Sequence, residues 1–200
     1  GERFAENESI SSDKEKRKWY RRGSLLITHW GFSGPAILKL SAFAARALHA
    51  SNYQAQLTIH WLGEKTTDVC FQELWQHFQK SGKKECGSTP LYGLSKRLWR
   101  SFLGAEAGRF CCDLSKKTVR QLASTLCGQS FSVSGKGIFK EEFVTCGGVK
   151  RSEVHFKTME SKLVPSLFFS GEVLDIDGVT GGFNFQNAWT GSWIASHHMG

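Results

Sequence analysis

The stretch from Leu167 to Ala195, LFFSGEVLDIDGVTGGFNFQNAWTGSWIA, limits the fold more than any other part of the chain. A short apolar run, Leu167 to Phe169, leads into Gly171 and Glu172, then an acidic loop with Asp175 and Asp177, then Gly178, Gly181 and Gly182. A helix is predicted from about Phe183 to Ala195, with Asn184 in its first turn. Strand, Gly-rich turn and helix in this order make a βα connection, and most such connections bind nothing. Acids and glycines this dense nevertheless exceed what a turn needs.

The alternative to a plain connection is a ligand site. The acid after the strand accepts hydrogen bonds from ligand hydroxyls, the glycines let the backbone come close, and free N–H groups at the helix start face electron-rich atoms. A polar ligand with hydroxyls and partial negative charge suits this pattern. An isoalloxazine ring with its ribityl tail is such a ligand.

Upstream, residues 1–22 read as a polar, basic, flexible lead or loop. Leu25 to Thr28 is predicted as a buried strand, and Gly31 to Pro35 as a turn opening a helix over Ala36 to Ala50. Tyr53, Ala55, Leu57, Ile59 and Trp61 alternate with polar residues, which predicts a strand with one buried face. From Thr66 the period lengthens. Val69, Leu74, Trp75 and Phe78 suit a helix ending near Gly82; Leu91, Leu94, Leu98, Trp99 and Phe102 suit a second; Val119, Leu122, Ala123 and Leu126 suit a third. Phe131 and Val133 begin a return strand, and Phe143 to Val149 leads into the final block.

Three blocks carry a family resemblance: LLITHWGFSGPAILKLSAFAARAL (Leu25 to Leu48), GKGIFKEEFVTCGGVKRSEVHFKTMESKLVPSLFF (Gly135 to Phe169) and Gly171 to Ala195. Together, in this order, they resemble a group of NAD(P)/FAD-dependent oxidoreductases labelled aminoacetone oxidase-like or bile-acid reductase-like. The resemblance implies a mixed α+β and α/β fold. An inserted β-rich, barrel-like domain over 23–140, with a helical subdomain at about 66–127, would precede the C-terminal strand-loop-helix of a Rossmann-type FAD-binding domain over 141–200. It also implies FAD as cofactor, NAD(P)H as electron donor, and hydride passing through flavin to or from an unknown small-molecule substrate. Glu172 would meet the ribityl hydroxyls. Gly171, Asp175, Asp177 and Gly178 would shape the adjoining loop, and Gly181, Gly182, Phe183 and Asn184 would lie against the pyrimidine edge of the ring.

Members of that group open with a strand, a GxGxxG turn and a helix that hold the ADP half of FAD. This chain has no such fingerprint; its nearest string, Gly135 to Lys140, lacks the third glycine. The expectation is a fragment that binds FAD weakly or not at all alone, with the missing N-terminal half as partner. A noncatalytic interaction module is the alternative.

His29, in a Thr-His-x-Gly string resembling the group's, is the candidate catalytic residue, against the commoner case of a hydrogen-bonded histidine at a strand end. Ser33 has no evident triad partners. Thr158, Met159 and Glu160 read as support for the FAD domain, and His197 and His198 as surface residues. The six cysteines match neither a disulfide framework nor zinc spacing, so reduced, mostly buried thiols and no metal are expected, Cys146 among them as a small buried thiol. The net charge of +8 is densest in Lys14 to Arg22, KEKRKWYRR, which reads more readily as a solvated face or mobile tail than as a nucleic-acid site, and other cations such as Lys83, Lys84, Lys116 and Lys117 scatter across helices and loops. With 40% hydrophobic residues and no apolar run long enough for a membrane span, a soluble intracellular protein is expected, with its compartment, an organelle included, left open; no secretory signal opens the chain, which says nothing of the intact protein.

Overall fold

The computed structural model describes residues 2–3 (backbone only), 19–137, 144–178 and 182–199. The Lys14–Lys18 part of the basic run, Lys140, Glu141, Glu142, Phe143 and Gly181 lie outside the described residues. The chain divides into two compact units, one of residues 1–24 and 56–133, the other of 25–55 and 134–200. Leu25–Ala55 thus groups with the C-terminal part of the chain, a grouping that linear boundaries at residues 22 and 140 do not express.

The first unit holds a three-stranded sheet in the order β1 (Glu2–Arg3), β4 (Ala55–Ile59), β5 (Gln129–Val133). Polar side chains on one face pair across β4 and β5 in antiparallel order, Gln56 with Ser132 at 3.0 Å and Thr58 with Ser130 at 3.4 Å. Leu57 and Ile59 are buried. Three helices lie between these strands: α2 (Thr67–Ser81), α3 (Lys96–Leu103) and α4 (Lys116–Gly128). Each starts where a hydroxyl can accept from a free N–H of the first turn: Thr66 from Val69, Ser95 from Leu98, Ser115 from Thr118. Gly82 and Gly104, at φ 55° and 53°, end the first two.

The second predicted helix is shorter than its apolar spacing suggests. Leu91 and Leu94 stand in the loop before it, because Tyr92 and Gly93 take left-handed backbone angles of 60° and 69°. Both leucines still pack against the core formed by Phe71, Leu74, Phe78, Trp99, Val119, Leu122 and Leu126. Trp99 is wholly buried, and its indole N–H donates to the Cys86 carbonyl at 2.8 Å. Asp68 pairs with Arg120 at 2.9 Å and the Lys116 ammonium lies 5.7 Å from the Trp75 ring, so α2 and α4 run antiparallel.

The second unit contains the hairpin β2 (Leu26–Ile27) and β3 (Phe32–Ser33), helix α1 (Pro35–Ala50), the hairpin β6 (Val154–His155) and β7 (Glu160–Ser161), and helix α5 (Gly182–Ser196). The expected buried strand over Leu25–Thr28 is corrected here: only Leu26 and Ile27 form a strand, and they are 57% and 51% exposed because no element among the described residues covers that face of the two-strand hairpin. Leu167–Phe169 is extended beside β7, with Ser161 N–H donating to Leu167 and Phe169 N–H to Met159, but it forms a single bridge rather than a strand. Helix α5 turns Gly191 and Ala195 inward; an added Cβ at Gly191 would stand 3.2 Å from the Met159 methyl and 3.5 Å from Ser170 Cβ.

Cysteine burial also differs from expectation. Cys70, Cys86 and Cys111 are buried and Cys127 is half-buried, whereas Cys112 and Cys146 are exposed. Burial pushes the Cys70 and Cys86 thiols up to about 12. A thiol whose folded pKa is raised favours folding in its neutral form; that contribution is intact below the unfolded value and is lost as pH rises through the folded one. The denaturation midpoint in urea should therefore fall between pH 9 and 12, and C70A/C86A should flatten that fall. Trp99→Phe, which removes one donor from the Cys86 carbonyl while the Thr89 N–H and hydroxyl still donate to it, should lower stability by about 0.5–1.5 kcal/mol at pH 7 in the same titration.

Candidate functional site

The C-terminal loop is built on a close backbone approach. The N–H of Val149 donates to the Val173 carbonyl at 2.8 Å and the N–H of Asp175 to the Val149 carbonyl at 2.9 Å, a parallel bridge between Val149 and Leu174. Gly148, at φ 139°, makes this possible: an added Cβ would run into the Val173 carbonyl and come within 2.8 Å of the Leu174 carbonyl carbon. Gly171 (φ 75°) opens a short 3₁₀ turn, Gly171–Val173, that packs on α5 with an added Cβ 3.7 Å from Ala188. That turn replaces the loop expected directly after the strand.

Glu172, in this turn, is exposed and makes no ion pair or hydrogen bond among the described residues. Asp175 is committed: its carboxylate takes a 2.5 Å hydrogen bond from the Arg46 guanidinium of α1. Arg46 is a site residue that the linear reading missed, since it lies far from Asp175 in the chain. Its pKa is held above the ordinary value by Asp175 first, with Cys146 and Asp177 adding to the effect. Asp177 and Gly178 join Ala42, Phe43, Arg46 and Cys146 around a recess of about 230 Å³. That is below the roughly 300–1,000 Å³ of most small-molecule sites. The recess alone cannot enclose a tricyclic ring.

Cys146 is not the buried thiol expected. Although it is exposed, the protein atoms around its sulfur and then the Asp177 carboxylate push its pKa up, which disfavours the reactive thiolate. Asn184 is also engaged: its side-chain oxygen accepts from the Gly178 N–H at 2.8 Å, so it staples the loop to the first turn of α5. Gly178 is packed against that staple, with an added Cβ 3.1 Å from both Asn184 Oδ1 and Phe183 Cβ. Gly182 is open, with nothing within 4 Å of an added Cβ, and the Phe183 side chain is 70% exposed.

His29 sits in the exposed turn of the β2–β3 hairpin, where the Thr28 hydroxyl accepts from the Trp30 and Gly31 N–H groups. No hydrogen bond or ion pair among the described residues links His29 to the C-terminal loop. Ser33 is half-buried in β3 with no catalytic partner among its described hydrogen bonds. Met159 is buried at φ 65° and Glu160 accepts from the Ser166 N–H, so the KTMES string braces the β6–β7 hairpin. His197 and His198 lie against the last carbonyls of α5, those of Trp193 and Ile194. Among the described residues, no group of three or more His, Cys, Asp or Glu is placed to hold a metal ion, and no helix is long and apolar enough to cross a membrane.

Residues 2–144 match the family described as the HI0933-like protein barrel and H2TH domain. The chain belongs to that family. Among curated relatives, it is 31% identical over 180 residues to a ribosomal RNA dihydrouridine synthase of Escherichia coli, covering 89% of this chain and 42% of the relative. It is 32% identical over 181 residues to a protein of the same name from Haemophilus influenzae, covering 86% and 41%. A 3-dehydro-bile acid delta(4,6)-reductase of Clostridium scindens is 26% identical over 176 residues, covering 86% and 43%. The chain thus spans about two-fifths of the length of the relatives it matches. One of these three relatives is named as a reductase.

Gly148→Ala should destabilise the second unit by about 2 kcal/mol or more, through both the left-handed backbone and the clash with residues 173–174. Gly182→Ala should leave stability within about 0.5 kcal/mol. Thermal melts of the two variants beside the parent check the contrast.

Proposed function

We propose that this chain supplies the C-terminal, ring-facing portion of a flavin-dependent reductase and that a separate dinucleotide-binding half completes it. The observation that carries this reading is helix α5. Its N-terminus begins at the open Gly182, and the turn bearing Glu172, unpaired among the described residues, packs on the same helix at Ala188. Helix rise separates Gly182 from Ala188 by about 9 Å, a spacing suited to a polyol tail held at one end by a carboxylate while a ring lies at the helix start. The helix dipole and free N–H groups there favour negative charge on a reduced ring.

The outer face of α5 supports the second half of the proposal. Phe185, Trp189 and Trp193, four residues apart, form an aromatic stripe 64–71% exposed. Apolar stripes of this size mark surfaces that another polypeptide covers. The parallel bridge between Val149 and Leu174 fits the edge of a Rossmann-type parallel sheet continued by that polypeptide. A bound flavin would supply the hydride chemistry, NAD(P)H being its proposed source. The chain's own groups would bind and orient: Glu172 at the tail hydroxyls, the α5 N-terminus at the ring, and Arg46 with Asn184 holding the loop.

For substrate class we favour RNA over a steroid. Two relatives above 30% identity are named for dihydrouridine formation in ribosomal RNA, which adds two hydrogens across a pyrimidine double bond. The bile-acid reductase is the more distant of the three. A noncatalytic interaction module would use the same aromatic stripe but hold no flavin.

Co-expression with a GxGxxG-bearing half from a family member, followed by gel filtration and visible spectroscopy, separates these readings. Flavin should be retained only in the complex. Glu172→Ala should weaken retention tenfold or more, Gly182→Val should abolish it, and W189A/W193A should prevent co-purification. A folded complex without flavin would refute the reductase reading.

A further inference from the structure

Between Gly82 and Arg120 the chain has nine lysines and arginines against three carboxylates. Read in sequence, Lys83–Lys84 and Lys116–Lys117 are remote from each other; the fold brings their turns together. The Cys111 N–H donates to the Lys84 carbonyl at 2.9 Å and the Cys112 N–H to the Gly82 carbonyl at 3.0 Å. The turn carrying Lys83 and Lys84 is thereby tied to the segment that opens α4, whose first residues are Lys116 and Lys117. All four lysines are exposed, and none makes a salt bridge among the described residues.

Two further features bear on what this face meets. The first turn of α4 holds two cations and no acid, the reverse of what its dipole favours, as does that of α3 with Lys96 and Arg97, whereas α2 opens with Asp68. A local preference given up in this way fits a face selected for an anionic partner. Phe110, which lies between the two lysine pairs in sequence, is 49% exposed and directly opposite Glu85 in an antiparallel bridge. An exposed ring among cations suits stacking on an unpaired base. Of the other charges here, Arg109 is held by Glu106 at 2.8 Å and by the Asp113 carbonyl at 2.9 Å, and two carboxylates stay at this face: Glu85, opposite Phe110, and Asp113, whose Oδ1 accepts from the Cys112 thiol at 3.5 Å.

We propose that the turns at Gly82–Ser88 and Arg109–Lys117 form a docking face for single-stranded or loop RNA, with Lys83, Lys84, Lys116 and Lys117 on phosphates and Phe110 stacked on a base. The proposal deepens the RNA reading above. It makes no use of flavin, so its failure and the failure of the reductase reading are separate results.

Fluorescence anisotropy with a labelled single-stranded 20-nucleotide RNA and the full 200-residue chain, at 50–200 mM KCl, tests it. The quadruple variant K83Q/K84Q/K116Q/K117Q should reduce the slope of log affinity against log salt by about 3. Phe110→Ala should lower affinity about tenfold at every salt concentration with the slope unchanged. A control variant replacing Lys39, Arg151, Lys157 and Lys162 with Gln should retain the parent slope. K116E/K117E should raise the melting temperature, by giving α4 an acidic first turn, while weakening RNA binding, so that loss of binding is not loss of fold. Equal losses in the quadruple and control variants would overturn the proposal. So would absence of binding by the parent, loss only on replacing Lys16, Arg17, Lys18, Arg21 and Arg22, or displacement by polyglutamate with no effect of Phe110→Ala, which would indicate an acidic protein partner.

Discussion

A backbone contact with no room for a methyl group holds the acidic loop in place. Gly148 lets Val149 reach the carbonyl of Val173, and the return hydrogen bond from Asp175 sets where that carboxylate begins. Arg46 then closes on Asp175 from α1, and the Asn184 side chain ties Gly178 to α5. Each step depends on the one before. If residues 148 and 173 separated, Asp175 would lose its backbone partner and the loop would lose its registration with Arg46.

In the helical unit the comparable constraint is the pairing of two turns. Cys86 N–H to Arg109 and Cys111 N–H to Lys84 form a short antiparallel bridge in which buried cysteines start two 3₁₀ turns. Trp99 seals this bridge from inside by donating to the Cys86 carbonyl. A compact core and a concentration of surface charge therefore share one scaffold. The core faces of the same turns are apolar, which leaves their cations to the solvent side.

Much of this was legible in the sequence. The apolar spacing from Thr66 onward marks three helices, Gly82 marks a helix end, and the alternation around Leu57 and Ile59 marks a half-buried strand. Leu91 and Leu94 misled because apolar spacing records which residues reach the core and not whether the backbone between them is helical. Leu26 and Ile27 misled for a related reason: apolar character shows a preference for burial, and only the surrounding layers decide whether it is met. At the site, Glu172 and the glycines were visible as a local cluster. Arg46 and the joining of Lys84 to Cys111 were not, because both arise from contacts distant in the chain and neither leaves a local pattern.

The aromatic face of α5 also governs the chain's colloidal behaviour. Phe185, Trp189 and Trp193 present a strip that water solvates poorly and that a second such strip would match, while the net positive charge keeps copies apart at low ionic strength. Salt removes that repulsion and leaves the apolar attraction intact. The chain's solubility is therefore set by a competition between its two surfaces, with added electrolyte favouring self-association.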